Sequence, residues 1–346
     1  MYRRRFATTC LAAAAALLGG AALAQQPLEI RIGAAQATDH APVFAAVERG
    51  IFARHGLTAR VVMYPTGVEM INGLLAGAQD VNVMGSIAFL AGVANGQPLV
   101  LIGHLHGDAL RDNYADNNSI VVRAGSSIGE IRALRGKRIG LPRGTGAEAY
   151  LLGILGQNNI AASDVTIVNI GPANLVTSLR QGDIDAMAMW EPVASVAELR
   201  VPGAVRLLEG GCTTCYDPGA VLTSRPVIAQ RAEQLRRFWL AFAEAEQWVR
   251  QNFDAAAEIN MRWIQGTDLD IMKSAIRRSR YDPRLSRLTG ATYNARTIPM
   301  LVADRRLPRS FDSNTSIDAQ FYLNVERTAP QFFSDLPPIP EAQRMQ

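Results

Sequence analysis

Apolar and polar positions along the chain follow two periods that take turns. Residues 28–34 alternate apolar with polar and read as a first strand. From Val43 the spacing changes: Val43, Ala46, Val47 and Phe52 fall on one side of a helix that ends near Gly56, with Pro42 suited to its first turn. A strand at 58–63, helices at 68–76 and 86–94, and a strand at 99–105 continue the rhythm. After a polar stretch at 112–118 it resumes, with strands at 120–122, 138–141, 165–169 and 204–208 and helices at 147–157 and 174–181. Ser127-Ile-Gly-Glu130 reads as a capping box for a short helix, and Asn174 as a helix cap. Beyond a strand at 220–223 the pattern is helical, over 232–251, 255–264 and 269–278. Strands alternating with helices predict an α/β fold with parallel sheets and helical crossovers.

One stretch occurs twice. Leu75-Ala-Gly77-Ala-Gln-Asp80-Val-Asn-Val-Met84-Gly85-Ser86 is echoed 105 positions later by Arg180-Gln-Gly182-Asp-Ile-Asp185-Ala-Met-Ala-Met189-Trp190-Glu191. Each copy ends a helix on a glycine, as a left-handed C-cap requires, and places an Asp three residues later. A short apolar run follows that reads as a buried parallel strand. Ligands of open α/β sheets sit beyond the carboxyl ends of strands. The repeat therefore predicts two Rossmann-like lobes that share one ligand. Lobe 1 is expected over 27–115 plus 220–335, with the helical C-terminal part packed on it, and lobe 2 over 118–215. A two-stranded hinge falls near Asn117-Asn118 and residues 217–220. The tail, 336–346 with Pro337-Pro338-Ile339-Pro340, is expected to be extended or disordered.

The first 24 residues have the make-up of an export signal: Arg3-Arg4-Arg5, an Ala/Leu-rich run, and Ala22-Leu23-Ala24 as a cleavage site. The run is too short to span a membrane, and no later stretch is long and apolar enough. About 320 residues remain, a natural size for two domains. Without its three arginines the formal charge falls from +4 to +1, which argues against a nucleic-acid partner. Only Cys212 and Cys215 survive cleavage, and outside the cytoplasm they could close a small disulfide. The turn at Asp217-Pro218-Gly219 does not suit a thioredoxin-like redox site. Two cysteines supply half a zinc set, and the four histidines show no matching spacing.

Ala41-Pro42-Val-Phe-Ala-Ala-Val-Glu-Arg-Gly50-Ile-Phe52-Ala-Arg-His-Gly56-Leu57 resembles the opening helix of periplasmic binding proteins for nitrate, sulfonates and taurine. Leu134-Arg-Gly136-Lys137-Arg-Ile139-Gly140, Gly144-Thr145-Gly146, Asp185 and Trp190-Glu191-Pro192 continue that pattern in order. The resemblance covers roughly 28–230. It implies a two-lobed monomer in the periplasm that closes on a small ligand and delivers it to the permease of an ABC importer. It implies no catalytic residue, cofactor or metal. Two alternatives share the fold: a synthase of the thiamin pyrimidine precursor, whose cysteine-rich motif is missing here, and a protein that presents its ligand to a sensor.

Eight residues are the expected ligand contacts. Gly144, Thr145 and Gly146 lie between a strand and a helix, where backbone amides and the helix N-terminus favour an anion and Thr145 adds a hydroxyl. The Lys-Ser/Thr of a nucleotide-binding loop is missing. A plain N-cap turn is the alternative. Arg143 could add a charge-assisted bond or be a solvated loop residue. Trp190 would form an apolar wall or a platform for a cation, or else belong to the core. Glu191 would accept from an amine and repel a bare anion, which tilts the ligand toward a taurine-like zwitterion or a small heterocycle. From lobe 1, Asp39 and His40 follow the first strand and Ser86 the third.

Overall fold

Ten strands form two sheets in a computed structural model that describes residues 27–346; the expected export segment, 1–24, lies outside the described residues. In chain order the strands are β1 (Leu28–Ala35), β2 (Leu57–Tyr64), β3 (Val81–Gly85), β4 (Leu99–His104), β5 (Asn118–Val122), β6 (Arg138–Leu141), β7 (Thr166–Asn169), β8 (Ala186–Trp190), β9 (Val205–Glu209) and β10 (Gly219–Ser224). Lobe 1 orders its sheet β2-β1-β3-β10-β4, and lobe 2 orders its sheet β7-β6-β8-β5-β9. The two orders are the same with β6, β7, β8, β9 and β5 standing for β1, β2, β3, β4 and β10. The repeated stretch thus supplies the central strand of each sheet, β3 and β8.

Its aspartates explain why the stretch repeats. Asp80 accepts from the backbone N–H of Arg31 at 2.9 Å and from its Nε and Nη2 at 3.1 and 2.7 Å, while Nη1 of Arg31 reaches the carbonyl of Gly77 at 2.6 Å. Asp185 accepts from the N–H, Nε and Nη2 of Arg138 at 3.0, 3.3 and 3.0 Å, while Nη2 also reaches the carbonyl of Gly182 at 2.7 Å. In both copies the glycine is left-handed, with φ of 74° at Gly77 and 83° at Gly182. The motif pins the start of the central strand to its parallel neighbour by charge-assisted hydrogen bonds.

Both sheets are mixed, where all-parallel ones were expected. β1, β2 and β3 run parallel, as do β6, β7 and β8, but β10 is antiparallel to β3 and β4, and β5 to β8 and β9. The odd strand in each sheet is the one reached by crossing from the other lobe. A chain arriving at the interlobe end must start its strand there, and so it runs against its neighbours. The two crossings touch each other: Tyr114 N–H donates to the Cys215 carbonyl at 3.0 Å, and Asp217 N–H to the Tyr114 carbonyl at 2.8 Å.

Lobe 1 has one continuous core that includes Leu235, Phe238, Trp239 and Phe242 of the helix Arg225–Gln251, so the helical C-terminal part is built into it. Lobe 2 has a separate apolar cluster on each face of its sheet. The helix expected over 43–54 breaks into Ala41–Glu48 and Ile51–Arg54. Ser127–Glu130 makes no capping box: Ser127 Oγ donates to the Ser126 carbonyl, and only a 3-10 turn, Ile131–Leu134, follows. Asn174 does not cap its helix, because Gly171 holds that position. The tail is packed rather than loose. Ile339 is buried, and Arg284 Nη1 holds the Pro337 carbonyl at 2.8 Å. Cys212 and Cys215 form a disulfide. No helix among the described residues is long and apolar enough to cross a membrane.

Candidate functional site

Strand register assembles the cleft between the lobes. Gly219, the first residue of β10, pairs with Gly85 at the end of β3, which sets Asp217 beside Ser86. Asn118, the first residue of β5, pairs with Trp190 at the end of β8. Each crossing segment therefore delivers polar side chains to the carboxyl ends of the central strands. The resulting cavity is about 60 Å³. That is room for about two waters at roughly 30 Å³ each. Trp190 separates it from a wider outer groove of about 610 Å³, lined by Tyr64, Asn174 and Ile264 among others.

Five of the eight expected contacts line the inner cavity: Asp39, His40, Thr145, Gly146 and Trp190. His40 follows β1 in the short turn Thr38–His40. Its Nδ1 accepts from the Ala35 N–H at 2.8 Å, so the neutral ring presents Nε2–H, and burial holds it below the ordinary histidine pKa. Asp39 Oδ2 lies 2.9 Å from His106 Nε2, and His106 Nδ1 lies 3.1 Å from the Tyr114 hydroxyl, which accepts from the Arg280 N–H at 3.1 Å. His106 donates from Nε2 to the Asp39 carboxylate. Burial pushes the Asp39 carboxyl up, but the imidazoles of His106 and His40 outweigh it and hold the group below the ordinary carboxylate range. Thr145 lines the wall, yet its hydroxyl donates to the Pro142 carbonyl at 2.7 Å.

The other three expected contacts serve the cleft from behind. Glu191 is 1 % exposed; its carboxylate lies 2.8 Å from Arg206 Nη1 and accepts from the Ser195 N–H at 3.1 Å. It is an anchor of lobe 2 and is turned away from any ligand. Ser86 is fully buried and gives both its N–H and its hydroxyl to Asp217 Oδ1, at 3.0 and 2.8 Å. The Gly144 N–H donates to Glu148 Oε2 at 2.8 Å, which removes it from ligand binding. Arg143 points elsewhere, with Nη2 on the Ile167 carbonyl at 3.0 Å. Gly146 lies against Asp217: a Cβ there would stand 2.9 Å from Asp217 Cγ and closer still to Oδ2.

Sequence reasoning passed over His106, Asn117, Asn118 and Asp217, all of which line the cavity. His106 lies two residues beyond β4, so the strand-end rule that selected Ser86 selects it too. Asn117, Asn118 and Asp217 read as hinge and turn residues, because nothing in the linear pattern reveals that their side chains face the cavity. Burial pushes the Asp217 carboxyl up, against the pull of its Ser86 bonds. Several contacts tie the lobes together round the cleft: Thr38 N–H to the Glu191 carbonyl at 3.2 Å, Arg306 Nη2 to Glu148 Oε1 at 2.9 Å, and the ion pairs Arg200–Asp268 and Arg278–Glu209. Among the described residues no group of three or more His, Cys, Asp or Glu side chains is placed to hold a metal.

A family model described as NMT1/THI5-like matches residues 37–256. A Bacillus subtilis (strain 168) relative named for aliphatic-sulfonate binding is 30% identical over 239 residues, which is 68% of this chain and 69% of the relative. The 4-amino-5-hydroxymethyl-2-methylpyrimidine phosphate synthase of Uromyces fabae is 28% identical over 159 residues, 45% of this chain and 44% of the enzyme. Among solved structures, the alkanesulfonate-binding protein of Xanthomonas axonopodis pv. citri bound to MOPS superposes with a TM-score of 0.73, over 86% of this chain and 100% of that one, at 23% identity. The chain belongs to the NMT1/THI5-like family and has the fold of the periplasmic substrate-binding proteins.

Proposed function

We propose that the chain is an extracytoplasmic solute-binding protein, monomeric, that captures a small organic ligand between its lobes and delivers it to the permease of an ABC importer. The observation that carries this reading is the small cavity walled by both lobes and both crossing segments, with buried polar atoms that no protein group satisfies. Such a cavity opens when the lobes part and is completed when they meet. Asp39, His40, Thr145, Gly146 and Trp190 are the contacts carried over from the sequence, joined by His106, Asn118 and Asp217. Micromolar affinity needs about 8 kcal/mol net, which a few hydrogen bonds and one stacked ring supply. The sulfonate- and synthase-named relatives leave sulfonates and small heterocycles as the classes to screen.

Thermal-shift screening of residues 25–346 against sulfonates, nitrate, amino acids, thiamin precursors and aromatic carboxylates tests the reading. A hit should raise the melting temperature of the wild type, and Thr145→Ala with Trp190→Ala should abolish that rise while leaving the unliganded protein folded. Unchanged binding in the double variant removes this cavity as the site. The similarity to the Uromyces fabae synthase supports a second reading, an enzyme of the same fold. Conversion of a bound compound to product over time would favour it.

A further inference from the structure

Two helices point their N-termini at the cleft, Ser86–Ala94 from lobe 1 and Gly146–Gln157 from lobe 2. Helix N-termini are where backbone N–H groups and peptide dipoles hold an anionic ligand. Here a carboxylate of the protein already stands there. Asp217 Oδ1 takes both donors of Ser86, and the rest of the carboxyl rests on Gly146, which has no side chain to block it. The neighbouring Gly144 N–H is taken by Glu148. At the Ser86 helix, then, the position that the fold offers to an anion is filled from within.

Two acceptors of cavity-lining residues go unanswered, beside the His40 Nε2–H donor. Asp39 Oδ1 and Asn118 Oδ1, in residues 6 % and 2 % exposed, are buried and have no hydrogen-bond partner. The Asn118 amide is oriented by its own Nδ2, which donates to Asn117 Oδ1 at 3.1 Å, so the oxygen is the free end. No lysine or arginine is among the residues lining the cavity, whereas Asp39 and Asp217 both are. A buried acceptor without a donor is costly, and a buried carboxylate more so. The pairing of Asn118 with Trp190 sets the free amide oxygen's residue next to an indole, a surface that attracts cations.

We propose that the cleft selects a small ligand carrying an amino, amidino or guanidino group, whose N–H donors go to Asp39 Oδ1 and Asn118 Oδ1 beside the Trp190 ring, and that Asp217 turns away ligands whose binding end is an anion. This rests on the solute-binding reading above and narrows it. It separates this chain from the sulfonate chemistry that its relative's name carries.

Calorimetric titration with matched pairs tests it: propylamine with propanesulfonate, acetamidine with acetate, and 4-aminopyridine with pyridine-4-sulfonate. In the wild type, at least one amine or amidine should bind about tenfold or more tighter than its anionic match. Asp39→Asn should weaken that cation about tenfold or more and should not weaken the anions. Asp217→Asn should improve anion binding. Should Asp217→Asn fail to fold, the wild type and Asp39→Asn decide the matter between them. Anions bound as tightly as their matches overturn the inference and leave the solute-binding reading intact. No response to any amine or amidine also overturns it, while the broader thermal-shift screen judges the solute-binding reading separately.

Discussion

Replacing Gly146 by alanine puts one methyl group where the Asp217 carboxylate now rests. The new Cβ would stand 2.9 Å from Cγ of Asp217 and nearer to Oδ2, so one of the two must move. Asp217 cannot retreat freely, because Ser86 holds its Oδ1 through two hydrogen bonds. Overpacking of this kind costs about 1–3 kcal/mol. Losing a charge-assisted bond costs about 1.5–3 kcal/mol, so either escape leads to a similar figure. A loss of about 2–3 kcal/mol corresponds to a melting temperature lower by about 3–5 °C in a chain of this size. Gly129→Ala, where a Cβ meets nothing, is the control and should change stability by no more than about 0.5 kcal/mol. A double-mutant cycle isolates the contact. Asp217→Gly removes the carboxylate, so Gly146→Ala in that background should lose its penalty and give a coupling of about 1–3 kcal/mol by urea denaturation. If Gly146→Ala is as stable as Gly129→Ala, or if the two changes simply add, Asp217 does not occupy the mouth of that helix.

Glu191→Ala should cost about 3 kcal/mol of stability in urea melts, because it leaves the buried Arg206 guanidinium with Glu198 as its one remaining acidic partner among the described residues. An effect on ligand affinity alone, with stability unchanged, would restore Glu191 to the ligand. Asp80→Asn should cost about 3 kcal/mol and Asp185→Asn about 1 kcal/mol, since Asp80 is buried between Arg31 and Arg231 while Asp185 is more open. Burial raises the Asp80 carboxyl but its arginines hold it below the ordinary range, so its stabilisation is present above the unfolded pKa and fades as pH falls; Asp80→Asn should flatten the acid limb of a stability–pH curve. Burial pushes His104 down from 6.5 to about 4, so the unfolded chain binds a proton that the native one refuses. Stability should therefore drop by about 3 kcal/mol as pH falls from 6.5 to 4, and His104→Asn should remove that share.

Much of this molecule is written in linear periodicity. All ten strands of the described residues lie within a residue or two of those read from the pattern, because their apolar runs are bounded by Gly, Pro or polar turns. The repeat was legible as two lobes. Its cause was not, since Arg31 and Arg138 sit far from their aspartates in sequence and meet them only across a sheet. The lining of the inner cavity was half legible. Asp39, His40, Thr145, Gly146 and Trp190 follow from position alone, at strand ends and a helix start. Glu191 misled because its neighbour Trp190 faces the cleft, and in a strand end one residue's shift turns a side chain to the other side. Asp217 was hidden by its own company, Pro218-Gly219, which spells a turn whether or not a carboxylate there accepts from the first N–H of a helix.

A crystal structure of residues 25–346 with the compound that gives the largest thermal shift tests the central claim most directly. The compound should lie in the inner cavity beside Trp190, with a nitrogen within hydrogen-bond distance of Asp39 Oδ1 and with Asp217 still bonded to Ser86. A ligand lodged in the outer groove at Tyr64 and Asn174, or an anionic group on the Gly146 N–H with Asp217 displaced, would contradict it.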